Sequence, residues 1–110
     1  MTVTNALASL AVSDLDRAER WYATLFDRAP DARPMDGLLE WHLPDGGVQV
    51  FLEADRAGRS GVTLATDDLD AVVAALTAAG VDHDGPQQAT ASRLLQLTDP
   101  DGNRVVLTGA

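Results

Sequence analysis

Apolar positions along this chain fall into short continuous runs and helical stripes, separated by polar turns. Ala6 to Val12 (ALASLAV) is a continuous apolar run that suits a buried strand. Ser13 and Asp14 follow it as N-cap residues, and Asp14 and Asp16 place negative charge at the positive end of a helix. Leu15, Ala18, Trp21 or Tyr22, and Leu25 then recur at helical spacing, giving one apolar stripe that must pack on something. The helix is expected to fade near Asp27, ahead of Pro30 and Pro34. Leu38 to Leu43 and Gly47 to Glu53 read as strands around Pro44-Asp45-Gly46-Gly47, whose glycines accept a positive φ. Asp55 to Ser60 (DRAGRS) reads as a polar connector.

The order then begins again. Val62 to Thr66 is a strand candidate, and Asp67 or Asp68 caps a second helix with the stripe Leu69, Val72, Val73 and Leu76. Gly80 stands where a C-terminal cap belongs. Val81 to Gln87 reads as a weak edge strand, because Pro86 argues against a central position. Leu94 to Leu97 and Arg104 to Thr108 form a last hairpin around DPDGN, Asp99 to Asn103. LAVSDLD at Leu10 aligns without gaps on LATDDLD at Leu64, an offset of 54 residues, and PDGG at Pro44 recurs as PDGN at Pro100, an offset of 56. Two landmarks in the same order at nearly one offset imply a duplicated strand–helix–strand–strand–strand unit. The expected organisation is a single domain over 1–110, with units at about 5–54 and 60–109. Each is too small to bury its own helix stripe and sheet face, so the two should pack together.

Charge narrows the partners. The 110 residues carry a formal charge of −9, from 17 acidic against 8 basic side chains. Phosphate backbones and anionic membranes would be repelled, so no nucleic acid and no membrane partner is expected. The absence of cysteine removes disulfides, thiolate nucleophiles and Cys-based metal sites. The N-terminal run lacks a positive region and is broken by Ser9, unlike a signal peptide or a membrane span. A soluble, cytoplasmic domain is the expectation.

VSDLDRAERWYATLF (Val12 to Phe26), VTLATDDLDAVVAAL (Val62 to Leu76) and DPDGNRVVL (Asp99 to Leu107) together resemble the vicinal oxygen chelate superfamily. That superfamily includes glyoxalase I, extradiol dioxygenases, and bleomycin and fosfomycin resistance proteins. The resemblance covers nearly the whole chain. It implies an α+β fold of two paired βαβββ units forming a curved, cup-like half-barrel, but it does not choose among the superfamily's many functions. It also implies where metal ligands would stand: a His seven residues before each helix-starting Asp, and a carboxylate on each unit's last strand. Those places hold Leu7 and Gly61, and Val106 with its repeat equivalent Val50. A slip of one residue in the first unit substitutes Gln49 or Phe51. None is a His or a carboxylate, so no metal and no other cofactor is expected.

The remaining chemistry is sparse. Glu40 and His42 stand two apart on a predicted strand and share a face, which makes them the candidate acid–base pair, weighed against a merely solvated polar pair. His83, in HDGP, reads as part of a polar loop. Trp41 either lines a pocket or fills the core. Gln49 and Phe51 alternate onto one face of their strand, and Ser9 and Thr63 share the faces of Leu7 and Gly61. Arg93 is a candidate anchor for an anionic group. The acidic pairs Asp14/Asp16 and Asp68/Asp70 are explained by their two helix starts.

The expected ligand-binding set is therefore Leu7, Ser9, Trp41, Gln49, Phe51, Gly61, Thr63, Arg93 and Val106. The leading expectation is a metal-independent binder of a small, cationic or amphipathic molecule in a cleft of apolar and aromatic residues, and not an enzyme. The alternatives are a metal-independent lyase or isomerase using Glu40 and His42, or a dimer module with a vestigial site. A homodimer is expected in each case, because long sheet edges gain from pairing.

Overall fold

The computed structural model describes residues 2–110. Its first half runs β1 (Leu7–Val12), α1 (Leu15–Phe26), β2 (Ala32–Met35), β3 (Leu38–Leu43) and β4 (Gly46–Leu52). A short 3-10 turn, Ala54–Arg56, leads on to β5 (Gly61–Ala65), α2 (Leu69–Ala78), β6 (Gln87–Gln88), β7 (Arg93–Thr98) and β8 (Arg104–Gly109). The strands make two open four-stranded sheets, in the orders β1-β4-β3-β2 and β5-β8-β7-β6, which adjoin along β1 and β5. Each half thus places its first strand parallel to its last, with the helix as the crossover.

Both helices start as the sequence predicts. The Asp14 carboxylate accepts from the Arg17 amide at 3.0 Å, and the Asp68 carboxylate accepts from the Ala71 amide at 3.0 Å. Gly80, at φ +80°, follows the last residues of α2 in the left-handed conformation that ends helices. Two edge strands differ from expectation. β2 occupies the stretch around Pro34, to which the sequence pattern assigns no strand; Pro34 is tolerated because β2 is an edge strand with a register shift between Ala32 and Met35. The strand expected over Val81 to Gln87 shrinks to Gln87–Gln88, because the chain turns at Gly85 (φ +82°) beside Pro86.

One face of each sheet packs on the helices. Leu10, Val12, Leu39, Trp41, Val48 and Val50 from the first sheet join Leu64, Leu95, Leu97, Val105 and Leu107 from the second in one apolar cluster. Each such aliphatic side chain contributes about 1.5–3 kcal/mol on leaving water. α1 adds an aromatic layer: Tyr22 and Phe26 lie 6.0 and 5.6 Å from Trp41, ring centre to ring centre.

The two halves run in the same order with small shifts in spacing, one of them at the closing turn. Leu10 pairs with Val50 in the first sheet, and Leu64 pairs with Leu107 in the second. The first hairpin closes with Leu43 opposite Gly46, whereas the last opens to span Thr98 to Arg104. One residue is therefore gained between the second PDG and its strand. The strand equivalent of Val106 is Gln49, and Val50 corresponds to Leu107.

That longer turn carries the only buried polar side chains among the described residues, Asp99 and Asn103. The Asp99 carboxylate accepts from the amides of Asp101 and Asn103, from the Asn103 side-chain amide at 2.8 Å and from the Tyr22 phenol at 2.8 Å. Asn103 also donates to the Ala11 carbonyl at 2.7 Å and accepts from the Ser60 amide at 2.9 Å. Asp101 takes the Ser13 amide and hydroxyl. The turn therefore pins β1, α1 and the start of β5 to one another, with every buried polar side-chain atom among the described residues satisfied. Burial, and then the Asp99 carboxylate beside it, push the Tyr22 phenol far above the ordinary tyrosine range.

Candidate functional site

The sheet face turned away from the helices is where the chemistry-bearing side chains gather. Strand pairing arranges the first sheet's open face in rows. One row runs Leu7, Gly47, His42; the next Ser9, Gln49, Glu40; the third Ala11, Phe51, Leu38, with Met35 of β2 beyond. The face grades from a histidine row, through a polar row, to an apolar row.

Several contacts fix it. The Gln49 amide donates to the Ser9 hydroxyl at 2.6 Å across β1 and β4. Glu40 lies opposite Gln49, and its carboxylate is 2.9 Å from His42 Nε2. Asp31 accepts from the His42 backbone amide at 2.6 Å and from the Arg28 guanidinium at 3.0 Å. Those two hydrogen bonds hold the Asp31 carboxyl below the usual carboxylate range. Arg28 also donates to the His42 carbonyl, so the outer end of β3 is clamped from both backbone groups.

A hollow of about 510 Å³ opens over the apolar row, within the range of small-molecule sites. Ser9 and Gln49 form its polar side; Met35, Leu38 and Phe51 its apolar floor; Asp36 and Arg56 its charged rim. The Arg56 guanidinium lies over the Phe51 ring, 5.9 Å from its centre. A larger hollow of about 810 Å³ lies between the end of α1 and α2, lined by Ala71, Ala75, Ala79, Leu25 and Phe26 among others. None of the sequence-predicted site residues reaches it.

The structure brings together Leu7, Ser9, Gln49 and Phe51 on this face, with Glu40 and His42 beside them. Gly61, Thr63 and Val106 occupy the matching face of the second sheet, next to Arg104, Gln96 and Thr98. Three expectations are corrected. Trp41 is fully buried on the helix side, donating its indole N–H to the Arg28 carbonyl at 3.0 Å, so it fills core and lines no cleft. Val50 is fully buried on that same side; the extra residue in the closing turn displaced the repeat mapping by one. Arg93 shares the face of Leu95 and Leu97 and pairs with Asp70 of α2 at 2.9 Å, so it ties helix to sheet. His83 bonds Thr77 and the Gly85 amide in the loop after α2.

Arg56, Asp36 and Leu38 belong to the site without having been singled out. Leu38 was readable, because it shares parity with Glu40 and His42. Arg56 was not, since nothing in DRAGRS shows that the connector folds back over Phe51. Among the described residues, no group of three or more His, Asp or Glu side chains is placed to hold a metal. Leu7, Gln49, Gly61 and Val106, the corrected set at the superfamily's ligand positions, offer a single amide oxygen between them. A divalent metal does not fit that set.

Residues 8–108 match the Glyoxalase-like domain family. A glyoxalase/bleomycin resistance protein from Catenulispora acidiphila DSM 44928 superposes with a TM-score of 0.89 at 27% identity, over 98% of this chain and 99% of that one. TnmS3, an antibiotic-binding protein from Streptomyces sp. CB03234, gives 0.79 at 26% identity, over 99% and 96%. A bleomycin-binding protein solved with bleomycin shares the fold, with a TM-score of 0.78 at 19% identity over 100% and 98%. No curated protein matches the chain. With two βαβββ units in the predicted order and a family match across almost every residue, the chain belongs to the glyoxalase-like family, a glyoxalase/bleomycin resistance member of the vicinal oxygen chelate superfamily.

Proposed function

We propose that the chain, acting as a single domain, is a metal-independent small-molecule binder that seats its ligand on the open face of the first sheet. The observation that carries this reading is the hollow over Phe51, whose apolar floor meets a polar pair, Gln49 and Ser9, already held in place by their own hydrogen bond. Such a site orients a ligand at little ordering cost. Binding without turnover needs no more than this, and binding is what the names of TnmS3 and the bleomycin-binding protein state for those proteins. The ligand would be amphipathic, the protein a homodimer, and its place the cytoplasm. No helix among the described residues is long and apolar enough to cross a membrane.

A thermal-shift screen against a small-molecule library tests the reading. A compound at a hundred times its Kd stabilises the fold by about 2.7 kcal/mol and is recovered unchanged. Gln49→Ala, weakening the ligand about tenfold, should cut that shift to about 1.4 kcal/mol; a flat response across the library overturns the proposal. Metal independence is tested by titrating the protein with nickel, zinc and manganese, where tight stoichiometric binding overturns it.

The 2.9 Å contact between Glu40 and His42, facing the same side as the hollow, favours a second reading. A carboxylate that orients an imidazole can move a proton, so a metal-free isomerase or lyase is the alternative. Turnover of a hit that is lost in His42→Ala would establish it.

A further inference from the structure

The chain has five aromatic residues, and the fold uses them unequally. Trp21, Tyr22, Phe26 and Trp41 form one contiguous stack on the helix side. Phe51 stands apart on the open face, with no aromatic ring packed on it among the described residues. Its one charged neighbour over the ring is Arg56, whose side chain is 69% exposed. An unstacked ring on a sheet face, capped by an exposed flat cation, is a stacking platform. From this placement we infer that the ligand of the cleft is a flat, uncharged conjugated ring system with hydrogen-bonding groups along one edge. It would lie between Phe51 and Arg56 with that edge towards Gln49 and Ser9. The inference rests on the proposed binder function of the same cleft.

The dimensions allow it. A flat ring needs about 3.5 Å on each face, so the slot between Phe51 and Arg56 must reach about 7 Å. The guanidinium now lies 5.9 Å from the ring centre, and a swing of about 1 Å by an exposed side chain opens the slot. Leu38 and Met35 extend the floor beside Phe51, so the platform suits a fused pair of rings better than one. The polar edge is specified too. Gln49 gives one N–H to Ser9, which leaves its carbonyl oxygen, its second N–H and the Ser9 O–H for a ligand. An edge that both donates and accepts, such as a carboxamide or a hydroxyl beside a carbonyl, satisfies all three.

Charge argues for a neutral ring. Arg56 is offset by Glu53 at 3.7 Å, and Asp36 sits on the opposite rim, so the hollow has no surplus positive charge to draw an anion. A cation would sit directly against the Arg56 guanidinium. Stacking on Arg56 and Phe51 needs only a polarisable flat face.

Calorimetric titration of the full chain with 2-naphthamide tests the proposal. The comparison probes are 2-naphthoate, 2-naphthylmethylammonium and the saturated decahydronaphthalene-2-carboxamide. The expected result is tightest binding of 2-naphthamide, with affinity reduced about fivefold or more by Phe51→Leu and by Arg56→Gln. Arg56→Gln alters an exposed side chain and keeps the test open should Phe51→Leu fail to fold. No detectable binding of 2-naphthamide, equal binding of the saturated amide, tighter binding of either charged probe, or indifference to both substitutions overturns the ring assignment. The broader reading fails separately: it survives if a non-planar or charged compound binds and loses affinity in Gln49→Ala, and it falls only if no compound binds.

Discussion

The open faces of the two sheets have the same strand order and the same pairing scheme, yet they carry different side chains. On the first, a half-buried Phe51 stands among Leu38, Met35, Gln49 and Ser9, under an arginine supplied by the connector. On the second, the positions of Phe51, Leu38, Gln49 and Ser9 are held by Thr108, Leu94, Val106 and Thr63, with Arg104 exposed at one end. The closing turns contrast in the opposite sense. Pro44-Asp45 is a short surface turn, whereas the turn from Asp99 to Asn103 buries both of its end residues and is tied into the rest of the molecule. The two halves share one frame; the first carries the candidate cleft, and the second carries the turn that ties the frame together.

Substitutions can break that division of labour. The largest effect is expected at the turns. Asp99→Ala strands the donors of Tyr22 and Asn103 and should cost about 3 kcal/mol or more by urea denaturation, whereas Asp45→Ala should stay within about 0.5 kcal/mol. Equal effects at the two turns would dissolve the contrast. Tyr22→Phe should cost about 1–2 kcal/mol, because a buried hydrogen bond to a carboxylate is lost. It also carries a pH signature. The native phenol holds its proton well above the ordinary value, so its contribution is complete below about pH 10 and declines as unfolded chains ionise above it. Tyr22 is the only tyrosine, so tyrosinate absorbance should rise only as the protein unfolds in alkali. Early, non-cooperative ionisation would show the phenol to be accessible.

The faces themselves are separated by binding. Gln49→Ala should weaken any cleft ligand about tenfold, close to 1.4 kcal/mol, while Thr63→Ala on the other sheet leaves the affinity unchanged. The smallest effect concerns a device that both halves share, a helix-to-strand ion pair: Glu19 with Arg33 at 2.6 Å, and Asp70 with Arg93 at 2.9 Å. The hydrogen bond from Arg33 lowers the Glu19 carboxyl, so the pair stabilises at neutral pH and fades as pH falls through the lowered native value. Solvent screening limits it, and Glu19→Gln should cost about 0.5 kcal/mol or less at pH 7 and nothing at pH 2.

Much of the frame was legible because it rests on local rules. Caps at Asp14 and Asp68, stripes of 3.6-residue period and the repeated PDG turns needed no tertiary knowledge. The site was legible in part. Alternation put Gln49 with Phe51, and Glu40 with His42, on common faces; which face looked away from the helices depended on packing that no single strand records. Trp41 was divided between core and pocket because a large aromatic suits both. Val50 was misplaced by a one-residue difference between the two turns, too small to see in a repeat read from two landmarks. Edge strands were the least legible, since β2 is held by its neighbour and not by its own propensities.

The bond from Asn103 to the Ala11 carbonyl joins residues 92 apart, and that from the Ser13 amide to the Asp101 carboxylate joins residues 88 apart. Contacts of such separation are entropically costly to close and come late on the way to the native state. The first strand pairs with β4 of its own half, but its ties to the closing turn wait for the last hairpin. During synthesis, β1, α1 and the cleft-bearing sheet would wait, incompletely locked, for the final turn to leave the ribosome. The cleft belongs to the first half, but the last turn to form completes the anchoring of the strand beside it.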